Sequence, residues 1–365
     1  MNRVKDKATP LLRRISVSKA ESRWRAPGAI DLHFHGAFGI DLMTADATQL
    51  DRLSEQLFRK GISAFLPTTI SAGMSETEAA LVRLGQWIHS HHDVGPRSGA
   101  AFPLGIHLEG PFISKGCCGA HPEKHLIPPS LKLLQRWQRL SQRTIAKITL
   151  APETAPWSEI RSILRWAARE QICISLGHSR SDAALARKAF NSGATAITHA
   201  WNAMPFHHRS PGILGEALGR KGVSVEVIPD NVHVSDALVD WTVRLHPQGV
   251  CFVSDAVPAA HRRDWSTFGP IRVRIKDGAG RTKDGSLAGG GLSLLEMASA
   301  FWKRRIRSGS TPDGASARAL LESLIVWPLL SLPSARHWIR AIERQHRFEY
   351  RIGTAVIVRA LPSST

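Results

Sequence analysis

Ala29-Ile30-Asp31-Leu32-His33-Phe34-His35 is a short apolar run that ends in two imidazoles two positions apart. A run of this kind, bounded by turn residues, reads as a buried strand. Alternate residues of a strand share a face, so His33 and His35 point to the same side. The pattern recurs along the chain. Glu109 closes Gly105-Ile106-His107-Leu108-Glu109, and His178 follows Leu176-Gly177. His199 follows Ile197-Thr198, and Asp255 follows Phe252-Val253-Ser254. Imidazoles and carboxylates at strand ends are the ligand types of a catalytic metal site. One such His reads as a satisfied structural histidine. The same property at five strand ends does not.

Outward from these positions the chain alternates. Apolar runs end near His35, Thr69, Leu108, Leu150, Leu176, His199, Ile228 and Ser254, and most are separated by segments with helical spacing. Residues 75–90 read as a helix with a capping box from Ser75 and Glu78. Residues 181–191 read as a helix that stops before Gly193, and residues 235–245 follow the same logic. Strand and helix in alternation imply parallel strands. Eight of them, with polar groups at their carboxyl ends, predict an α/β fold, a (β/α)8 barrel of the TIM type. The five candidate positions then fall on strand ends one, three, five, six and eight and converge on one face. The connection from Pro111 to about Pro129 is long enough to be functional. After Asp255 the regularity fades. Residues 272–275 and 284–286 read as a hairpin or loop excursion, 292–305 and 315–326 as helices, and 352–359 as a last strand.

The chain has 365 residues, 43% hydrophobic and 21% charged, which is globular composition with room for one large barrel. No apolar run approaches the ~18 residues of a membrane span. The N-terminus lacks the apolar centre of a secretory signal. Cys117, Cys118, Cys173 and Cys251 contain no Cys-x-x-Cys pair and read as reduced buried thiols of a cytoplasmic protein. The net charge of +18 is scattered, with no zinc finger, RNA-recognition signature or basic zipper. Charge alone gives only non-specific affinity, so no specific nucleic acid and no membrane is expected as a partner. Residues 1–26 are basic and read as a minimal N-terminal segment, with only a loose likeness to a presequence. The division expected is therefore 1–26, a basic segment and possible remnant of a small β-domain; 27–330, the barrel; and 331–365, a C-terminal segment with a possible strand.

These residues together resemble the amidohydrolase superfamily and, more narrowly, the N-acetylglucosamine-6-phosphate deacetylases. The resemblance runs from Pro27 to about Met297. It is carried by Pro27-Gly28-Ala29-Ile30-Asp31-Leu32-His33, His107-Leu108-Glu109-Gly110-Pro111-Phe112, Gly119-Ala120-His121-Pro122 and Gly177-His178-Ser179. It continues in His199-Ala200-Trp201-Asn202-Ala203-Met204-Pro205, Pro211-Gly212 and Leu287-Ala288-Gly289. It implies that Glu109, His178 and His199 bind one divalent metal, most often zinc. His33 and His35, with Glu109 as bridge and Asp255 nearby, would bind a second, so one or two ions are expected. Asp255 would be the general base and acid. His121 and His233 would contact substrate, and Asn202, Ala203 and Arg209 would hold a phosphate with help from His233. The residue chemistry is compatible with this: Arg209 offers a planar fork, and backbone N–H groups at Asn202 and Ala203 suit an anion pocket.

The resemblance also implies a phosphorylated N-acetyl amino sugar as substrate and a homodimer. The chain departs from the family pattern at Trp201, at Ser210, where an acidic residue is usual, and at Val257-Pro258. Residues 353–358 read as a degenerate trace of the family's last strand. Lys147 lies inside the fourth strand and reads as structural, since Glu109 already occupies the bridging position. Two further readings accompany the deacetylase: an amidohydrolase for another N-acyl or cyclic amide, and a non-catalytic basic binding protein on a retained barrel.

Overall fold

The computed structural model describes residues 11–17, 21–309 and 313–361. Eight parallel strands form the centre: β1 (Ala29–Phe34), β2 (Ile62–Thr69), β3 (Ile106–Glu109), β4 (Ile145–Leu150), β5 (Cys173–Leu176), β6 (Ala196–Ile197), β7 (Ser224–Val227) and β8 (Val250–Phe252). They neighbour one another in chain order. The circle is drawn together just past the strand ends, where Asp255 N–H donates to His33 O at 2.9 Å and His35 N–H to Ala256 O at 2.8 Å. Strands buried on both faces are apolar throughout, and most of these strands are fully buried. Each expected strand end lies within two residues of the observed one.

A helix follows every strand: α1 (Ala47–Arg59), α2 (Met74–Val94), α3 (Leu131–Leu140), α4 (Trp157–Arg169), α5 (Ala183–Asn191), α6 (Gly212–Leu218), α7 (Asp236–Leu245) and α8 (Leu294–Arg307). α1 is started by reciprocal capping between Asp46 and Gln49, and buries Leu50, Leu53 and Leu57 on one stripe. α5 is capped by Asp182, which accepts from Leu185 N–H at 2.8 Å. The capping box expected at α2 does not form. Its N-cap is Gly73. Ser75 bonds Glu76 instead, and Glu78 crosses to α3, accepting from Arg136 at 2.7 Å and Trp137 Nε1 at 3.1 Å. A tertiary partner of opposite charge outcompetes a local cap here.

Two insertions shape the mouth of the barrel. The segment after β3 holds two short 3-10 turns, Lys115–Cys117 and Glu123–His125. The excursion after Asp255 is a four-stranded antiparallel sheet of Ser266–Phe268, Ile271–Lys276, Ala279–Arg281 and Leu287–Gly290. Its Phe268 and Val273 pack with Met43, Ile70 and Val257 in a small second core. Phe268 also lies against the His35 ring, centroids 4.9 Å apart.

The ends of the described chain form a separate antiparallel sheet, ordered Arg13–Val17, Ser22–Ala26, Phe348–Ile352 and Val356–Ala360. The strand read over 352–359 is in fact the second half of a hairpin that turns at 353–355. Residues 22–26 alternate, burying Ser22, Trp24 and Ala26. Tyr350 is fully buried and donates its hydroxyl to Pro27 O at 2.8 Å, and Trp302 of α8 donates to Gly353 O at 2.7 Å. These bonds fasten the sheet to the barrel. Residues 1–10 and 18–20 of the expected basic segment, and 362–365, lie outside the described residues. All four cysteines are free, but only Cys173 and Cys251 are buried, whereas Cys117 and Cys118, both expected inside, sit half-buried in the loop after β3. No single helix among the described residues is long and apolar enough to cross a membrane.

Candidate metal centre at the barrel mouth

Six side chains expected as metal ligands meet at the carboxyl ends of the strands, and all six are buried: His33, His35, Glu109, His178, His199 and Asp255. The strands end just short of three of them. His178, His199 and Asp255 have φ of 48°, 30° and 49°. A left-handed backbone is uncommon for such residues and marks places where the surrounding structure imposes the turn. Here the turn follows β5, β6 and β8 and brings each side chain over the barrel axis.

Glu109 is the centre of the arrangement. Its Oε1 lies 3.2 Å from His178 Nε2 and 3.0 Å from His199 Nε2, and those two nitrogens are 2.9 Å apart. Its Oε2 lies 3.2 Å from His33 Nε2 and 3.1 Å from His35 Nε2. These nitrogens are 3.2 Å from one another, and lie 3.3 Å and 3.2 Å from Asp255 Oδ1. Four donors with edges near this length surround a point ~2.0 Å from each, a usual metal–ligand length for a four-coordinate zinc ion. The donor set therefore fits a divalent metal on each side of the Glu109 carboxylate. Nitrogens and oxygens packed this closely want either protons or a cation between them.

The electrostatics agree. Burial opposes charge on His33, but Glu109 and Asp255 outweigh it, and the ring is raised well above the ordinary histidine value. Burial likewise opposes charge on His35, which Asp255 and Glu109 raise. Burial would raise Glu109, yet His33, His121, His178 and His199 hold it well below the usual carboxylate range. Asp255 is lowered in the same way, by His33 and His35 against burial. Without metal, the protons sit on His33 and His35 beside Glu109 and Asp255, while burial holds His199 below the ordinary histidine value. Metal binding would release them.

Two of the remaining ring nitrogens are held from behind by backbone carbonyls. His35 Nδ1 lies 3.2 Å from Thr68 O and His178 Nδ1 2.7 Å from Cys117 O. Such outer partners select the tautomer that leaves Nε2 free to ligate. His121, expected on the substrate side, comes into the cluster itself. Its Nε2 is 3.3 Å from Glu109 Oε2, and Ser71 Oγ meets its Nδ1 at 2.8 Å. Burial pushes His121 down to about 4, against the pull of Glu109.

The expected phosphate residues are less tightly gathered. His233 Nδ1 donates to Asp230 Oδ2 at 2.6 Å, and its buried Nε2 has no protein partner among the described residues. Burial acts against its charge, but Asp230 raises it. Asn202 N–H donates to His199 O at 3.0 Å, and its side chain bonds His199 O and Ala200 O. One of the two expected backbone donors is thus already engaged, because the chain turns sharply at Trp201 and Ala203, with φ of 78° and 53°. Arg209 is exposed, and its guanidinium meets His208 Nε2 at 3.1 Å.

Sequence reasoning missed four residues: Ser71 and Asp230, which hold His121 and His233; Glu153, which accepts from Ser179, Ser181 and the Arg180 backbone beside His178; and Glu226. A usable signal existed for Glu226. It is a carboxylate inside a buried strand, and such a group needs a partner. Lys147, inside another buried strand, is that partner.

No protein-family model matches the chain. Comparison with known proteins gives clear relatives. The chain is 35% identical over 275 residues to N-acetylglucosamine-6-phosphate deacetylase of Bacillus subtilis (strain 168), covering 74% of this chain and 68% of that protein. It is 32% identical over 282 residues to N-acetylgalactosamine-6-phosphate deacetylase of Escherichia coli O157:H7, covering 77% and 72%. The N-acetylglucosamine-6-phosphate deacetylase structure from Thermotoga maritima superimposes with a TM-score of 0.72 at 28% identity, covering 92% of this chain and 86% of that one. The enzyme from Mycobacterium smegmatis shares the fold, with a TM-score of 0.78 at 21% identity over 92% and 85% of the two chains. A barrel with candidate metal ligands at the ends of strands one, three, five, six and eight, together with these relatives, makes the chain a member of the N-acetylglucosamine-6-phosphate deacetylase family.

Proposed function

We propose that this protein hydrolyses N-acetylglucosamine 6-phosphate to glucosamine 6-phosphate and acetate, in amino-sugar catabolism or wall recycling. The observation that carries the reading is Glu109, which offers one oxygen to His178 and His199 and the other to His33 and His35. That arrangement favours two ions, and the nitrogen-rich donor set favours zinc. Such ions supply Lewis acidity for an amide carbonyl and bring the pKa of a water toward neutrality.

The chain's own groups do the rest. Asp255 accepts a proton from the attacking water and delivers it to the departing amine nitrogen as the C–N bond breaks. His121, kept neutral by burial, is suited to hold the acetyl side of the substrate. His233, braced by Asp230, presents Nε2 to the sugar phosphate. Arg209 and the Ala203 backbone complete the anion pocket, with the Asn202 side chain fixing the turn. The barrel over 27–330 carries the reaction, and the terminal segments form the small β-domain. Phe206, Trp241 and Leu245 are 50%, 59% and 64% exposed, and Trp201, which contacts Phe206, bonds Thr242 beside Trp241. An apolar surface of this kind supports a homodimer. The proposed setting is the cytoplasm.

Purified, metal-loaded protein assayed on the 6-phosphates of N-acetylglucosamine and N-acetylgalactosamine, and on both free sugars, tests the reading. Highest kcat/KM on the glucosamine phosphate is expected. Preference for its epimer would move the substrate to that of the Escherichia coli relative. Equal rates on phosphorylated and free sugars would overturn the phosphate pocket.

A further inference from the structure

Beneath the ligands, the barrel interior is not filled with aliphatic side chains alone. Lys147 on β4 and Glu226 on β7 are both buried and form an ion pair across it. Burying two charges costs more than the pair returns in many proteins, and hydrophobic replacements are often neutral or stabilising. A stability role therefore does not account for the pair. Its position does. Glu226 Oε2 lies 3.5 Å from His33 Nδ1 and 3.4 Å from the backbone N–H of His199, and Glu226 O accepts from Ala200 N–H at 2.7 Å.

The four ligand rings differ in what stands behind them. His35 and His178 have neutral carbonyls, and His199 Nδ1 has no protein partner among the described residues. His33 alone is backed by a carboxylate. The other ring neighbour below, His107, is no competitor. It is engaged with Thr68 Oγ1 at 3.3 Å and Thr149 Oγ1 at 2.8 Å.

We infer that Lys147 and Glu226 act as one positioning unit for the metal ligand His33. Glu226 accepts a hydrogen bond from His33 Nδ1–H, which orients the ring and leaves Nε2 toward Glu109, His35 and Asp255. Lys147 fixes the carboxylate in place and balances its charge. The inference rests on the metal reading above. It adds that occupancy of the His33–His35 side depends on a pair that touches no ion.

The test titrates metal-free protein with cobalt(II), reading bound ion per chain by elemental analysis and ligand geometry by visible absorption. Loss of an outer partner typically costs 10- to 100-fold in metal affinity. The unmodified protein is expected to bind two ions. Glu226→Gln should weaken one step by about that factor and change its absorption, with the Glu109–His178–His199 step nearly unchanged. Since Glu226→Gln strands a buried ammonium, the double variant Lys147→Met with Glu226→Gln guards against misfolding, and circular dichroism checks its fold. A folded double variant that binds two ions as tightly as the unmodified protein would show the pair to be structural and overturn the inference alone. A single ion in the unmodified protein would overturn the two-ion reading itself, and this inference with it.

Discussion

The candidate metal end and the proposed phosphate end of the barrel mouth are built differently. At the metal end every donor is buried, leaves a strand or the turn just after it, and has neighbours near 3 Å. At the proposed phosphate end Arg209 stands in an exposed loop, and its guanidinium meets His208. The first region is braced by hydrogen bonds between neighbouring strands and by partners behind the His33, His35 and His178 rings. The second is built on the sharp turn after β6. Under the proposed function, the reaction type rests on the buried part of the fold and substrate choice on the exposed part.

The largest expected effect tests the centre of the buried end. Glu109→Gln keeps the shape but removes the charge shared by all four ligand imidazoles. Bound metal should fall, and turnover should drop by about 10³-fold, the scale of several kcal/mol of Lewis-acid assistance. Full metal content by elemental analysis would break the assignment. Next is Asp255→Asn, with a kcat loss of about 10²-fold or more while metal on the Glu109–His178–His199 side persists. Near-normal turnover would mean that another group carries the proton.

The exposed end should respond more gently and more selectively. Arg209→Ala should lower kcat/KM for the phosphorylated sugar about ten- to hundredfold, one charged hydrogen bond at roughly 1.5–3 kcal/mol. The free sugar should be nearly unaffected, and an equal loss on both would erase the contrast between the two ends.

The smallest effect concerns the brace behind His233. Asp230 raises His233, and His233 lowers Asp230, each against burial. The His233 contribution to stability is complete below the ordinary histidine value and is lost as pH rises through its raised pKa. The Asp230 contribution is complete above the ordinary aspartate value and is lost as pH falls through its lowered one. Asp230→Asn should therefore cost on the order of 1 kcal/mol between those limits and less outside them. Proton NMR should find the His233 midpoint shifted down, and an unmoved midpoint would disprove the brace.

Much of the buried end was legible because strand ends announce themselves. Ile197-Thr198-His199 and Phe252-Val253-Ser254-Asp255 each carry an apolar run into a metal-type residue, and that pattern is local. The terminal sheet was only half legible. Ser22-Arg23-Trp24-Arg25-Ala26 alternates, but its partner strand lies more than 300 residues away, pairing Trp24 with Tyr350. The helix at 74–94 was found, while its cap was misread, because Glu78 serves α3 rather than its own helix.

By itself, the sequence determined the order of strands and helices, the barrel they build, and the residue types at its carboxyl end. Periodicity and turn residues act over a few positions, so they can be read without coordinates. Only the tertiary structure decided that Glu109 divides its two oxygens between two groups of imidazoles, that Asn202 uses its amide in a turn, and that Lys147 and Glu226 meet behind His33. These are distances between segments far apart in the chain, set by strand register and barrel closure.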